Sequence, residues 1–227
     1  MPEQLTFHLP GEPALGRGDF FVSSGNSVAA DAIQAWHEWP QGKLVLVGPQ
    51  GAGKTHLVHV WAALTDARIV AAGDLATAPV QELAGGPAAI EDADRIAGTP
   101  ALEEAMFHLH NLALAQGQPL LITAARPPVR WGLSLPDLAS RMQGSAMVTL
   151  APPDDALLSA VLVKLFADRQ LAIEPPVVAY LVNHMDRSFA GAGRLVEALD
   201  QAALAKRRRI TRALAGEVLD KLGQDRQ

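Results

Sequence analysis

The sequence predicts an α/β fold, a base built on a five-stranded parallel sheet, followed by a small all-helical unit. One observation is that short apolar runs alternate with helical stretches between about residues 43 and 150. A second is the glycine-rich loop Gly48-Pro49-Gln50-Gly51-Ala52-Gly53-Lys54-Thr55, which joins the first of those runs to a helix. The third is the break at Pro152-Pro153-Asp154-Asp155, beyond which only helical periodicity remains.

Each element has a local reason. Residues 1–19 are rich in Pro and Gly and read as an extended tail. Phe20-Phe21-Val22 is a short strand-like run. Ser24-Gly25-Asn26 offers a turn and a helix cap, and 27–39 follows with helical spacing until Pro40-Gln41-Gly42 ends it. Strands are expected at 43–47, 68–72, 87–90, 119–123 and 146–150. A long helix fits 100–116, with Leu102, Met106, Leu109 and Ala113 on its apolar face. Helices fit 155–169, 175–184, about 189–206, and 211–222 in the second unit. The expected organisation is therefore a tail at 1–19, an α/β base at 20–151 and a helical unit at 152–227, without internal repeats.

Bulk properties exclude several classes. The 227 residues are 49% hydrophobic, enough for a packed core rather than a disordered chain. A formal net charge of -5 weighs against a dedicated DNA-binding surface. Cysteine is absent, which removes disulfides, thiolate metal sites and thiol catalysis. Met1-Pro2-Glu3-Gln4 carries no basic start or apolar leader, and no apolar run reaches about 18 residues. A soluble, cytoplasmic protein is the expectation, with no membrane partner.

The loop fits G-x-x-x-x-G-K-[ST] without a mismatch, in the strand–loop–helix context its chemistry needs. Glycines turn successive backbone N–H groups toward one anion, and the helix N-terminus adds partial positive charge. Lys54 is placed to reach the β- and γ-phosphates of a nucleotide, and the Thr55 hydroxyl to ligate Mg²⁺. His56 continues the nucleotide-facing segment. Glu91-Asp92 ends the third strand, a position from which Glu91 would hold the Mg²⁺ shell and Asp92 would orient the attacking water. The alternative is an acidic turn in which Asp92 or Asp94 caps a helix. Thr123, ending the fourth strand, would touch the γ-phosphate or the water, or else satisfy nearby backbone. Arg141, before the fifth strand, suits bidentate phosphate contact in trans, or a surface pair with Asp137 one turn earlier. In the helical unit Arg194 would reach back to the phosphates, with Arg187 as its rival. Lys206-Arg207-Arg208-Arg209 reads as a solvated helix end or a nucleic-acid contact. In the tail, Gln4, Leu5, Phe7 and Leu9 either dock as a linear peptide into a partner's apolar pocket or tack the tail onto the chain's own core.

Together these motifs resemble those of AAA+ ATPases. Phe20-Phe21-Val22-Ser23-Ser24-Gly25-Asn26, Gly53-Lys54-Thr55-His56-Leu57, Phe107-His108-Leu109-His110-Asn111 and Thr123-Ala124-Ala125-Arg126-Pro127-Pro128 are similar to segments of the DnaA-related replication initiators. Leu135-Pro136-Asp137-Leu138-Ala139-Ser140-Arg141 is similar to the arginine-finger segment of the Hda branch, and Gln4-Leu5-Thr6-Phe7-His8-Leu9 to its clamp-binding peptide. No segment after Leu222 is long enough for an initiator's DNA-binding domain. The resemblance implies a regulator that docks on the β sliding clamp of DNA polymerase III and offers Arg141 to ATP held by DnaA. It implies ATP or ADP with Mg²⁺ at the P-loop, ADP being the favoured occupant, and DNA contact through the clamp. Two departures stand out. Ala125 occupies a position where initiators carry Asp, and Glu91-Asp92 reverses the usual acidic order. A self-sufficient ATPase that remodels or loads a partner, and a non-catalytic adaptor, remain competing readings. Self-association is left open.

Overall fold

The computed structural model describes residues 25–206 and 208–224. In chain order it contains α1 (Ser27–Gln34), β1 (Lys43–Val47), α2 (Lys54–Thr65), β2 (Arg68–Ala71), α3 (Val80–Leu83), β3 (Ala88–Glu91), α4 (Pro100–Ala115), β4 (Leu120–Ala124), α5 (Pro136–Gln143) and β5 (Ala146–Thr149). Four helices follow: α6 (Asp155–Asp168), α7 (Pro175–His184), α8 (Phe189–Lys206) and α9 (Arg212–Gln224). Phe20-Phe21-Val22 and the tail peptide lie outside the described residues.

The strands form one parallel sheet in the order β2-β3-β4-β1-β5. β1 and β4 are buried along their whole length, because central parallel strands are covered on both faces. On one face α1 and α2 bring Ala29, Ile33, Leu57 and Trp61 against Leu44, Leu46 and Leu121. On the other, α4 and α5 bring Met106, Leu109, Leu138 and Met142 against Val45, Ile90 and Ile122. The order brings β3, β4 and β1 side by side, so the segments that leave their C-terminal ends converge.

Two expectations need correction. The helix expected at 27–39 stops at Gln34 and continues as short 3₁₀ turns. Trp39 is the cause: its indole donates to the Ala32 carbonyl at 2.8 Å while its ring stacks on Trp61 at 5.3 Å, and a continuous α-helix does not permit both. In α4, Met106, Leu109 and Ala113 face inward as expected, but Leu102 is only partly buried. Leu102 still packs against that core, and Glu103 and His110, which the expectation left out, are buried as well, 1% and 2% exposed.

The helical unit begins where the Pro152-Pro153 break predicts. Asp154 caps α6 by accepting the Leu157 N–H at 2.7 Å. Its four helices pack around Phe166, Leu181, Leu195, Leu199 and Ala215.

Candidate functional site

The P-loop leaves β1 and enters α2 as the motif requires. Gly53, directly before the helix, has φ +100°, and Gly51 has φ +78°, both in the left-handed region that glycine tolerates. Ala52 is buried, Pro49 and Gln50 are exposed, and His56 is half-buried on the first turn of α2. Lys54 is 8% exposed. Its ammonium donates to the carbonyls of Gly48 at 2.7 Å and Pro49 at 3.0 Å, so it is folded over the loop it serves. Burial lowers its pKa, while the carboxylates of Asp92, Asp94 and Glu91 pull the other way.

Those carboxylates arrive from β3. Thr55 Oγ1 donates to Glu91 Oε1 at 2.6 Å. Two hard oxygen donors held this close would supply two of the six positions of an octahedral Mg²⁺ shell, so the donor set fits that ion. Asp92 follows in the left-handed region, φ +57°, and its carboxylate pairs with Arg95 at 3.4 Å. Thr123 is 1% exposed, and its hydroxyl accepts the Asp92 N–H at 3.1 Å. Its observed contact is thus to the backbone that carries Asp92.

Asp94 does not cap a helix, and its role was missed in the sequence. It is 6% exposed and reaches across to the end of β4, where it accepts the Ala125 N–H at 3.1 Å and pairs with Arg126 at 3.3 Å. A carboxylate therefore reaches Ala125 from the neighbouring strand. The signal was the third acid in Glu91-Asp92-Ala93-Asp94, but its partner is 31 residues away.

Arg141 stands at the other end of the sheet. Its carbonyl accepts from Lys43, the first residue of β1, at 3.2 Å. The P-loop begins one strand length further on, roughly 16 Å at about 3.3 Å per residue. The guanidinium is exposed and lies 5.4 Å from the Phe107 ring centroid. The expected alternative, a pair with Asp137, is not formed, and among the described residues Arg141 has no carboxylate partner.

The helical unit reaches the P-loop directly. Phe189, at the start of α8, donates its N–H to the Gly51 carbonyl at 3.2 Å. A Cβ on Gly51 would come within 2.3 Å of Ser188 Cβ, and one on Gly53 within 2.8 Å of the Phe189 ring. Arg194, on the second turn of α8, pairs with Asp186 at 3.3 Å. Arg187 is turned to the inter-unit connection, pairing with Asp155 and donating to the Pro153 carbonyl at 3.4 Å. The two rival arginines thus have different partners. Gln4, Leu5, Phe7 and Leu9 lie outside the described residues. Among the described residues no helix is long and apolar enough to cross a membrane.

Comparison with known proteins agrees with this architecture. Residues 155–219 match the family model described as Hda, lid domain. Domain III of the replication initiation protein DnaA from Thermotoga maritima superposes with a TM-score of 0.81 at 18% identity, over 94% of this chain and 98% of that one. AMPPCP-bound DnaA from Aquifex aeolicus gives 0.69 at 18% identity, over 86% of this chain and 66% of that one. RuvB from Thermotoga maritima gives 0.64 at 20% identity, over 86% and 66%. At these identities the solved structures speak to the fold.

Proposed function

We propose that this chain, an Hda/DnaA-related AAA+ protein by its lid and its fold, regulates the replication initiator DnaA by presenting Arg141 to ATP bound on DnaA. One observation carries the reading. Arg141 is an exposed arginine without a carboxylate partner among the described residues, at the end of the sheet opposite its own P-loop. From there it reaches a neighbour's nucleotide rather than its own. Arginine suits the role because its fixed fork matches phosphate oxygens and stays charged.

In this reading residues 20–151 are the nucleotide-binding base and 152–227 the lid, as 1–19 supply the docking tail. The P-loop from Gly48 to His56 holds ATP or ADP, with Lys54 on the phosphates and Arg194 approaching from the lid. Mg²⁺, when bound, neutralises phosphate charge. Thr55 and Glu91 hold it, and Thr123 sets the backbone of Asp92 beside the position of an attacking water. The nucleotide acts as a conformational ligand, because Ser188 and Phe189 pack on the same loop that binds it. Gln4, Leu5, Phe7 and Leu9 dock on the β sliding clamp of DNA polymerase III, which brings the chain to DNA indirectly, in the cytoplasm.

The test is hydrolysis of ATP on DnaA with DNA-loaded clamp, with and without the chain. Stimulation is expected from the wild-type chain, and none from Arg141→Ala, whose own nucleotide and clamp binding should persist. Full stimulation by that variant would sink the finger reading and favour a non-catalytic adaptor. The Thr55–Glu91 contact beside Asp92 also favours a self-sufficient ATPase. Rapid ATP turnover by the chain alone would support that reading instead.

A further inference from the structure

A line of buried polar groups ends on Arg141. Lys43 is 5% exposed, and its ammonium meets His110 Nε2 at 2.9 Å and the Arg141 carbonyl at 3.2 Å. His110 is 2% exposed, and its Nδ1 faces Asn111 Oδ1 at 3.3 Å. The ammonium has only donors, so Nε2 is the acceptor; Nδ1 then carries the proton and donates to Asn111. His110 is therefore neutral. Burial lowers its pKa and the charge of Lys43 lowers it further. Burial also lowers the pKa of Lys43, as does Arg141.

The Arg141 carbonyl lies in the last turn of α5, where carbonyls lack helical partners. Lys43 and the Ser145 hydroxyl, at 2.9 Å, supply them. The other end of α5 is already tethered, since Glu103 accepts the N–H groups of Ser134 and Leu135 at 2.8 Å each. A buried lysine costs free energy that an apolar residue of its size would not. Here the buried ammonium of Lys43 donates to the carbonyl of the residue that carries the exposed guanidinium. The same helix α4 provides His110 below and the Phe107 ring beside the guanidinium.

We infer that Lys43 and His110 are positioning residues for Arg141, holding the last turn of α5 so that the guanidinium keeps one pose toward a neighbour's nucleotide. This rests on Arg141 acting in trans. The charged groups facing His110 are Lys43 from β1 and Arg141 from α5; its own helix adds Asn111. Protonating His110 removes the acceptor and places a third cation beside two others, so the arrangement fails on the acid side.

The experiment measures stimulated hydrolysis of DnaA-bound ATP, the chain's nucleotide affinity and its Tm. The variants are Arg141→Ala, Lys43→Met, His110→Leu and His110→Gln. Lys43→Met and His110→Leu should lower stimulation roughly tenfold, as expected for a displaced catalytic group, with nucleotide affinity unchanged. His110→Gln keeps an acceptor and should restore most of the rate. As pH falls below the ordinary histidine value of 6.5 and through the lowered pKa of His110, the wild-type rate should fall relative to that of His110→Gln. If Arg141→Ala abolishes stimulation while Lys43→Met and His110→Leu retain it, the inference is wrong and the finger stands. If Arg141→Ala also retains it, both fall. A Tm drop of several degrees with weaker nucleotide binding in Lys43→Met and His110→Leu, or a constant wild-type to His110→Gln ratio across pH, would reduce the pair to packing and overturn the inference.

Discussion

Phe189 of the lid donates its backbone N–H to the carbonyl of Gly51 in the P-loop, so the lid rests on the phosphate-binding loop itself. Gly51 also has φ +78° and no room for a Cβ beside Ser188. Gly51→Ala should therefore cost about 1–3 kcal/mol from backbone strain and collision. It should also speed nucleotide release, because the lid must lift. Urea unfolding and fluorescent-nucleotide dissociation measure both. Wild-type values in both would show that the contact carries no weight.

Thr55 and Glu91 touch at 2.6 Å. Either Thr55→Ala or Glu91→Gln should remove most of the gain in nucleotide affinity that Mg²⁺ gives, about tenfold for a lost charge-assisted contact. The double variant should lose little more than either single one, since both act on one ion. Titrations with and without Mg²⁺ decide this. Additive losses that persist without Mg²⁺ would contradict it.

Glu103 predicts a pH dependence of stability. Burial alone would raise its pKa, but backbone N–H bonds from Ser134, Leu135 and Gly98 outweigh burial, and the net shift is downward. A depressed folded pKa contributes stability above the unfolded value, about 4.3, which is lost as pH falls through the folded value. Glu103→Gln should be less stable by about 1–3 kcal/mol at neutral pH. The gap should narrow toward pH 3. Urea midpoints across pH measure it, and a pH-independent gap would refute the ionic origin.

The tail is tested without reference to the rest of the fold. Replacing Gln4 and Phe7 with Ala should abolish binding to the purified sliding clamp, because a short peptide has few anchors to share the loss. Nucleotide affinity should not change. Unaltered clamp binding would return the segment to a tether for the chain's own core.

The strands and the glycine-rich P-loop were legible because their signals are local. Apolar runs of four or five residues bounded by turn residues, and glycines at motif spacing, need no distant partner to be recognised. The helix expected through residue 39 was misjudged because Trp39 answers to Trp61, a ring in another helix. Leu102 does pack on the core with Met106 and Leu109, but the deeper burial of Glu103 and His110 was passed over because they are polar. Their burial is tolerated only because backbone donors from the α5 approach and an ammonium from β1 satisfy them.

By itself, the sequence determined the α/β base, the helical unit, the glycine-rich P-loop and the acids that follow β3, since each is written in spacing along the chain. Tertiary structure alone decided which polar groups meet. It placed Asp94 against Ala125, Thr123 under Asp92, Phe189 on Gly51, and Lys43 beneath Arg141 across 98 residues. The reason is that buried polar groups must find partners wherever packing brings them, and periodicity along the chain carries no record of which strand or helix will arrive.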